Sequence, residues 1–127
     1  MKLLKNSIDI KVKNEDNSIE KIKSIILIQI KVTMKYENFV RFILGQMWGS
    51  EDRNKACKKC IEDYIEILKK VVEDGMNKKE IKKGNSEIIA YGIYSVICSC
   101  LMYKDKGETD IDKLYKNYSE YIMKVLN

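Results

Sequence analysis

The sequence predicts an all-α domain of about five helices. Its 127 residues contain no proline and only six glycines, so few positions can stop a helix. Apolar residues recur every three or four positions along most of the chain, which is the spacing of one helix face. A hydrophobic content of 45% beside 34% charged residues argues against intrinsic disorder, and the length suffices for one core.

Residues 1–17 allow two interpretations. The stretch from Ile8 to Lys13 alternates between apolar and polar residues, as a half-buried strand does. Leu4, Ile8 and Val12 would also share one face of a helix. The local pattern favours a short strand or an irregular arm, and we place the helical domain at residues 18–127.

Two helices are predicted after this arm. Ser18 is the expected N-cap of the first, with Glu20 in the first turn, where the helix dipole favours acids. The run from Ile25 to Ile28 would also suit a buried strand, but the long apolar periodicity favours a helix. The second helix ends before Gly49. The apolar positions that define these helices are Ile19, Ile22, Ile26, Ile30, Tyr36, Phe39, Val40, Ile43 and Met47.

A long third helix is predicted from a cap at Ser50 or Asp52 to Gly75, since glycine commonly closes a helix. A polar, lysine-rich connection follows at residues 76–85. The apolar face of this helix comprises Cys57, Cys60, Ile61, Tyr64, Leu68, Val71 and Val72.

The fourth helix, predicted from the cap Ser86 to about Tyr103, is apolar on nearly every side, and a last helix starts at Thr109 or Asp110. A helix of this kind must be covered on both sides, and the chain's own core covers one. We therefore expect a homodimer joined through the last two long helices. The predicted interface comprises Ile89, Ile93, Val96, Ile97, Leu101, Leu114, Tyr118, Tyr121 and Ile122.

The composition narrows the possible functions. The chain has no histidine, which excludes Ser-His-Asp and Cys-His catalysis and every histidine metal site. It also lacks a P-loop and a glycine-rich dinucleotide turn, so we expect no enzyme, no catalytic residue and no cofactor. Only Arg41 and Arg53 are arginines, and the lysines alternate with acids. We therefore expect no direct nucleic-acid contact despite the net charge of +5.

The cysteines and apolar runs indicate a cytoplasmic protein. No signal peptide is recognisable, and the uncharged run from Ile88 to Tyr103 is too short for a membrane span. Cys57 and Cys60, three positions apart, would face one side of the third helix, as in half a zinc site or a redox pair. Cys98 and Cys100 point apart on a helix. We therefore interpret the thiols as small buried residues and expect no metal.

Several segments together resemble the C-terminal regulatory domain of TetR/AcrR-family transcriptional repressors. They are NSIEKIK at 17–23, the stretch from Tyr36 to Met47, VVEDGMNKKEIK at 71–82 and EIIAYGIY at 87–94. In that family a long helix ends with glycine, a basic turn follows, and an alanine-containing apolar helix forms the dimer interface. The family usually has a second glycine just before Glu80, where this chain has Lys79. The resemblance covers residues 17–127.

The resemblance implies a domain that binds a small effector among its helices, with residues 1–17 as the remnant of the linking helix. An apolar or aromatic effector is expected. The family's helix-turn-helix head has no counterpart in residues 1–17, so DNA contact is expected only through a head absent from this chain. The alternative is a helical dimeric interaction protein without effector, which could sequester a full-length regulator. The expected effector-lining residues are Gln29, Phe39, Ile43, Met47, Trp48, Tyr64 and Tyr94.

Overall fold

The structure, a computed structural model, describes residues 17–127. Six helices lie in this part of the chain and no strand does, so the all-α prediction is confirmed. Ser99 alone separates the fourth helix from the fifth, and Ser86–Asp105 therefore forms one arm of 20 residues. The helices are α1 (Ser18–Lys35), α2 (Glu37–Gly45), α3 (Asp52–Asn77), α4 (Ser86–Cys98), α5 (Cys100–Asp105) and α6 (Ile111–Leu126).

The central element is α1, which contacts each of the other five helices. Four isoleucines on it are fully buried, and the choice of helix over strand for residues 25–28 is confirmed. Burying these side chains against five partners makes α1 the axis of the core. The buried isoleucines are Ile22, Ile25, Ile26 and Ile30. The interpretations of residues 1–16 lie outside the described residues.

The cap of α1 differs from the prediction. Asn17, not Ser18, is the N-cap, and its side-chain oxygen accepts the backbone N–H of Glu20 at 2.8 Å. Ser18 is instead a buried first helical residue whose N–H donates to the carboxylate of Glu80 at 2.8 Å. An acid from a distant turn therefore satisfies an N–H group in the first turn of α1 that has no partner within the helix.

The start of α3 also differs from the prediction, because Glu51 occupies the N-cap position rather than Ser50 or Asp52. The side-chain oxygen of Asn54 accepts the N–H of Glu51 at 3.1 Å, and its amide donates to the carbonyl of Gln46 at 2.8 Å. Asn54 thereby ties the loop after α2 to the first turn of α3.

The end of α3 lies at Asn77, two residues beyond the predicted stop at Gly75. Gly75 is buried, and a Cβ placed there would lie 2.4 Å from Cδ1 of Ile81 and 3.0 Å from Cβ of Ser18. The glycine is required by close packing inside the helix. It is Lys79 that takes the left-handed backbone conformation, with φ of 62°.

The junction turn, residues 78–82, connects three helix ends. The N–H groups of Glu80 and Ile81 both donate to the carbonyl of Gly75, at 2.8 and 3.1 Å. The N–H of Lys82 donates to the carbonyl of Leu126 at 2.9 Å. Together with the bond from Ser18 to Glu80, these contacts hold the start of α1, the end of α3 and the end of α6 in one place.

The arm formed by α4 and α5 begins at Asn85, whose side chain accepts the N–H of Ile88 at 3.0 Å. The predicted cap Ser86 instead donates its hydroxyl to Glu73 of α3 at 2.8 Å. For α6, the predicted cap Asp110 is confirmed.

Only one side of the arm packs into the domain. Ala90, Ile93 and Ile97 are buried, whereas Ile88 is 70% and Met102 62% exposed. By length and apolar composition alone the arm is the one helix within residues 17–127 that could cross a membrane. Its buried side packs on α1, α3 and α6, as a core helix does.

Candidate functional site

A buried polar cluster joins α1, α3 and α4. Gln29 is 1% exposed, and its amide nitrogen donates to the carbonyl oxygen of Tyr94 at 3.2 Å and to the sulfur of Cys98 at 3.7 Å. Its carbonyl oxygen accepts the hydroxyl of Tyr64. Both ends of the carboxamide are therefore hydrogen-bonded, as a buried amide requires. The rings of Tyr64 and Tyr94 pack with centroids 5.4 Å apart.

A cavity of about 550 Å³ lies beside this cluster, between the end of α2 and the helices α3 and α4. Tyr94 and Cys98 belong to both. The volume falls within the range of roughly 300–1,000 Å³ that is typical of small-molecule sites. We call it the aromatic cavity. Its walls are formed by Leu44, Met47, Trp48, Lys58, Ile61, Glu62, Tyr91, Tyr94, Ser95 and Cys98.

Two opposite charges stand in the wall of the aromatic cavity. The ammonium of half-buried Lys58 donates to the carbonyl of Gly49 at 3.2 Å, on the side of the loop after α2. Glu62 is one helical turn further along α3. Burial raises the pKa of Tyr91 on α4, and the negative charge of Glu62 adds to this. Lys58 therefore faces the loop, and Glu62 stands on the α4 side.

The deeper wall is uncharged at neutral pH. Burial raises the pKa of the Cys98 thiol to about 11, and burial also raises the pKa of the Tyr94 hydroxyl well above its usual range. A neutral thiol is a weak nucleophile, so this wall is suited to packing and hydrogen bonding rather than to covalent chemistry. The arrangement can bind a small apolar or aromatic molecule whose polar group lies near the rim.

The seven residues that the sequence predicts for effector binding lie in three different places. Those in the wall of the aromatic cavity are Met47, Trp48 and Tyr94. Those buried behind the wall, outside the lining, are Gln29, Ile43 and Tyr64. Phe39 is 51% exposed on α2 and is not part of the lining either.

Apart from Tyr94, sequence reasoning missed the α3 and α4 contributions to the cavity. Residues 58, 61 and 62 follow helical spacing, as do residues 91, 94, 95 and 98. Two such strips on neighbouring helices could have indicated a shared wall. The signal was hidden because Lys58 and Glu62 resemble surface residues, while the residues on the fourth helix belong to a helix that is apolar on nearly every side.

The thiols do not form a pair. Cys57 is buried and Cys60 is exposed, so the prediction that Cys60 belongs to the apolar face of the third helix is wrong. A step of three residues leaves two side chains about 60° apart around a helix, which is enough to carry Cys60 out of the core. Within residues 17–127 no three cysteine, aspartate or glutamate side chains gather closely enough to hold a metal ion.

A second apolar surface runs along α4 and α6. A groove of about 230 Å³ between these helices shares the lining residues Val96 and Tyr121 with a larger cavity of about 500 Å³ that reaches Tyr103 and Tyr118. We call this surface the α4–α6 groove. Its narrow part is lined by Ile88, Ile89, Gly92, Ile93, Val96, Tyr121, Ile122 and Val125.

The predicted interface residues divide between this groove and the core. Tyr121 is 54% exposed, and Ile89 and Val96 are half-buried. The other six predicted residues are buried within the chain itself, so the surface open to a partner is shifted toward residues absent from the prediction, such as Ile88 and Val125. The six are Ile93, Ile97, Leu101, Leu114, Tyr118 and Ile122.

One solved structure with the same architecture is a Clostridium perfringens protein described as a candidate regulator of fatty acid metabolism. It superimposes with a TM-score of 0.86 at 22% sequence identity, over 94% of this chain and 66% of that one. At this identity the likeness shows a shared fold. This chain spans less than two thirds of that protein. A comparison with curated proteins gives no significant match.

The comparison with protein families gives a match over nearly the whole chain. Residues 15–126 match the family described as Tetracyclin repressor-like, C-terminal domain. This match confirms the resemblance to TetR-type regulators that the helix order and the stretch around Gly75 predict. The chain therefore belongs to the family of tetracyclin repressor-like C-terminal domains.

Proposed function

We propose that this chain is the effector-binding and dimerisation domain of a TetR-like transcriptional regulator, and that it binds a small apolar or aromatic molecule in the aromatic cavity. The observation that carries the proposal is the cavity itself. It has the volume of a small-molecule site, an aromatic wall and a rim with two charged groups. The cavity is open to solvent beside Trp48, which is 86% exposed and which a bound molecule would cover.

The polar cluster gives the cavity a route to the rest of the domain. Tyr94 and Cys98 line the cavity, and both are bonded to Gln29 on the central helix. A ligand that prefers one position of Tyr94 would therefore prefer one position of α1, which is how a bound molecule shifts a conformational population.

Dimerisation through the α4–α6 groove is the second part of the proposal. Ile88, Tyr121 and Val125 are each at least half exposed beside a groove with an almost wholly apolar wall. A second copy would cover these side chains through a two-fold interface, the commonest form of assembly.

We infer a cytoplasmic, non-enzymatic protein that makes no direct contact with nucleic acid through these residues and needs neither cofactor nor membrane. Both arginines are engaged by acids, Arg41 by Glu37 and Asp105 and Arg53 by Glu51, so neither is a free phosphate-binding fork.

Native mass spectrometry of the purified chain, beside a denatured sample, tests the proposal. We expect a dimer that carries a small organic molecule, and the ligand should be lost on denaturation. Methionine substitution of Ser95 in the cavity wall should abolish ligand retention, whereas the same change at Ser24, on α1 and outside the cavity, should not. A protein that never retains or binds a small apolar molecule, from the cell extract or when offered fatty acids, would contradict effector binding.

The alternative, a dimeric interaction protein without effector, is favoured by the groove alone. It predicts the same dimer, no ligand, and exchange of subunits with a full-length relative. Co-expression of both chains distinguishes the two functions, since a strictly homodimeric product excludes sequestration.

A further inference from the structure

The charge arrangement at the rim of the aromatic cavity specifies its ligand more closely. We infer that the aromatic cavity takes a small zwitterion, a molecule with an apolar or aromatic body and both an anionic and a cationic group, with Lys58 bound to the anion and Glu62 to the cation. The inference rests on the proposed function, because it concerns the same cavity.

Lys58 and Glu62 do not form a salt bridge with each other. Lys58 and Glu62 are four residues apart on α3, the spacing at which a lysine and a glutamate commonly pair. Lys59 and Asp63, one position further round the same helix, do pair at 2.8 Å. Within residues 17–127 neither Lys58 nor Glu62 makes a salt bridge, although both line the cavity. The same spacing is thus closed outside the cavity and open within it.

Lys58 and Glu62 have different neighbours, which keep their charges apart. The ammonium of Lys58 is bonded to the carbonyl of Gly49 at 3.2 Å, which draws it toward the loop after α2. One neutral carbonyl occupies one of its three donors and leaves its charge uncompensated. Glu62 stands on the side of Tyr91, where its charge acts on that hydroxyl. The nearby cation Lys59 also feels the charge of Glu62, but its ammonium is bonded to Asp63 at 2.8 Å.

The two separated charges are complementary to those of a zwitterion. A ligand with a single charge would satisfy one of these groups and bring its own charge near a like one. A zwitterion meets both with opposite charge and loses little when it leaves water, because each of its ions gains a partner. Its apolar body would lie against Ile61, Met47 and Tyr94 deeper in the cavity. Zwitterions with an aromatic body, such as aromatic amino acids, have this chemistry.

A series of four probes with one common body tests the inference. Phenylalanine carries both charges, phenylpropionate the anion, phenethylamine the cation, and phenylpropanol neither. Trp48, the single tryptophan of the chain, lies in the cavity wall and reports binding by its fluorescence, with calorimetry as the second readout. We expect phenylalanine to bind most tightly, by roughly fivefold or more over each singly charged probe.

Two variants test which side chain binds which charged group of the ligand. Lys58→Met should weaken phenylalanine by roughly fivefold but not phenethylamine, because it removes a charge of the same sign as that probe. Glu62→Gln should likewise weaken phenylalanine but not phenylpropionate. The probe that is not weakened shows in each case that the variant still folds. Lys70→Met and Glu66→Gln, exposed on the same helix but outside the cavity, are the matched controls and should bind all four probes like the parent.

Several results would overturn the inference. If phenylpropanol or one singly charged probe binds as tightly as phenylalanine, the rim does not select a zwitterion, although the cavity remains a binding site. If no probe binds, the inference is wrong for this body. The native mass spectrum and the fatty acid trial then decide separately whether the cavity binds any effector.

Discussion

The side-chain amide of Gln29 donates to the backbone carbonyl oxygen of Tyr94 at 3.2 Å, 65 residues further along the chain. This bond joins the central helix α1 directly to a helix that forms the wall of the aromatic cavity. Because the hydroxyl of Tyr64 donates to the same carboxamide, three helices share one buried amide. The cluster is therefore a structural element of the core and of the candidate site at once.

Replacing Gln29 by leucine should lower the free energy of unfolding by about 2 kcal/mol, because it leaves the buried Tyr64 hydroxyl without an acceptor. Urea denaturation followed by circular dichroism measures this. Adding Tyr64→Phe to the leucine variant removes the orphaned hydroxyl and should recover about half of the loss. Equal destabilisation in the single and double variants would contradict the account.

Lys79→Gly should stabilise the domain by about 1 kcal/mol, since a side chain at φ of 62° is strained and glycine is not. Thermal unfolding should show a rise in Tm of a few degrees. Lys78→Gly is the matched control, because φ is −87° there and glycine only adds freedom to the unfolded chain. A stabilisation of equal size in both variants would show that backbone strain is not the cause.

Gly75→Ala should cost about 2–3 kcal/mol, because the new methyl group would lie 2.4 Å from Cδ1 of Ile81. Shortening that neighbour in the double variant with Ile81→Val should return part of the loss. Gly45→Ala meets no atom within 4 Å and should change stability by less than about 1 kcal/mol. Chemical denaturation of the three variants provides the comparison.

Gly92→Lys should produce a monomer with an intact fold. Gly92 is exposed in the middle of the α4–α6 groove, and a Cβ there meets no atom of the chain within 4 Å. A charged side chain would lie in the proposed apolar interface, where it has no partner. Sedimentation velocity measures the assembly state, and Gly45→Lys, also without neighbours, is the control. A dimer that persists in Gly92→Lys would place the interface elsewhere.

Stability should fall as the pH rises from about 9 to 11. Burial raises the pKa of Cys98 from 9.0 to about 11 and that of Cys100 to about 12. Between these values the unfolded thiols lose protons that the folded ones keep, so alkali favours the unfolded state, and below pH 9 the contribution is fully present. Urea midpoints measured across this range should decline less steeply for Cys98→Ala, while Cys60→Ala, at an exposed thiol, should follow the parent.

The helix order could be predicted because every helix has an apolar periodicity of its own. The cap of α6, Asp110, could also be predicted, whereas the caps of α1, α3 and α4 could not, because each lies directly beside a residue with the type of a cap. Ser18 has the residue type of a cap, yet a carboxylate from residue 80 holds it inside the helix. Gly75 is a common helix terminator in sequence, but its missing side chain makes room for Ile81.

The candidate site was less predictable for the same physical reason. Tyr94 and Trp48 could be assigned to a cavity from residue type, because aromatic side chains line such sites. Gln29 was expected to line the cavity, but it lies behind the wall, where it is bonded to Tyr94 and Cys98. Lys58 and Glu62 resemble an ordinary surface pair in sequence, and only their three-dimensional placement beside Gly49 and Tyr91 sets them apart.

The junction turn has a topological consequence. Glu80 holds the start of α1 and Lys82 the end of α6, so a single short turn brings both ends of the described chain side by side. The described chain is therefore almost closed on itself, and its two ends could equally be placed at another loop. Because the two ends lie together, moving them to another loop would keep the packing, which makes this domain suited to circular permutation and to insertion into a host protein.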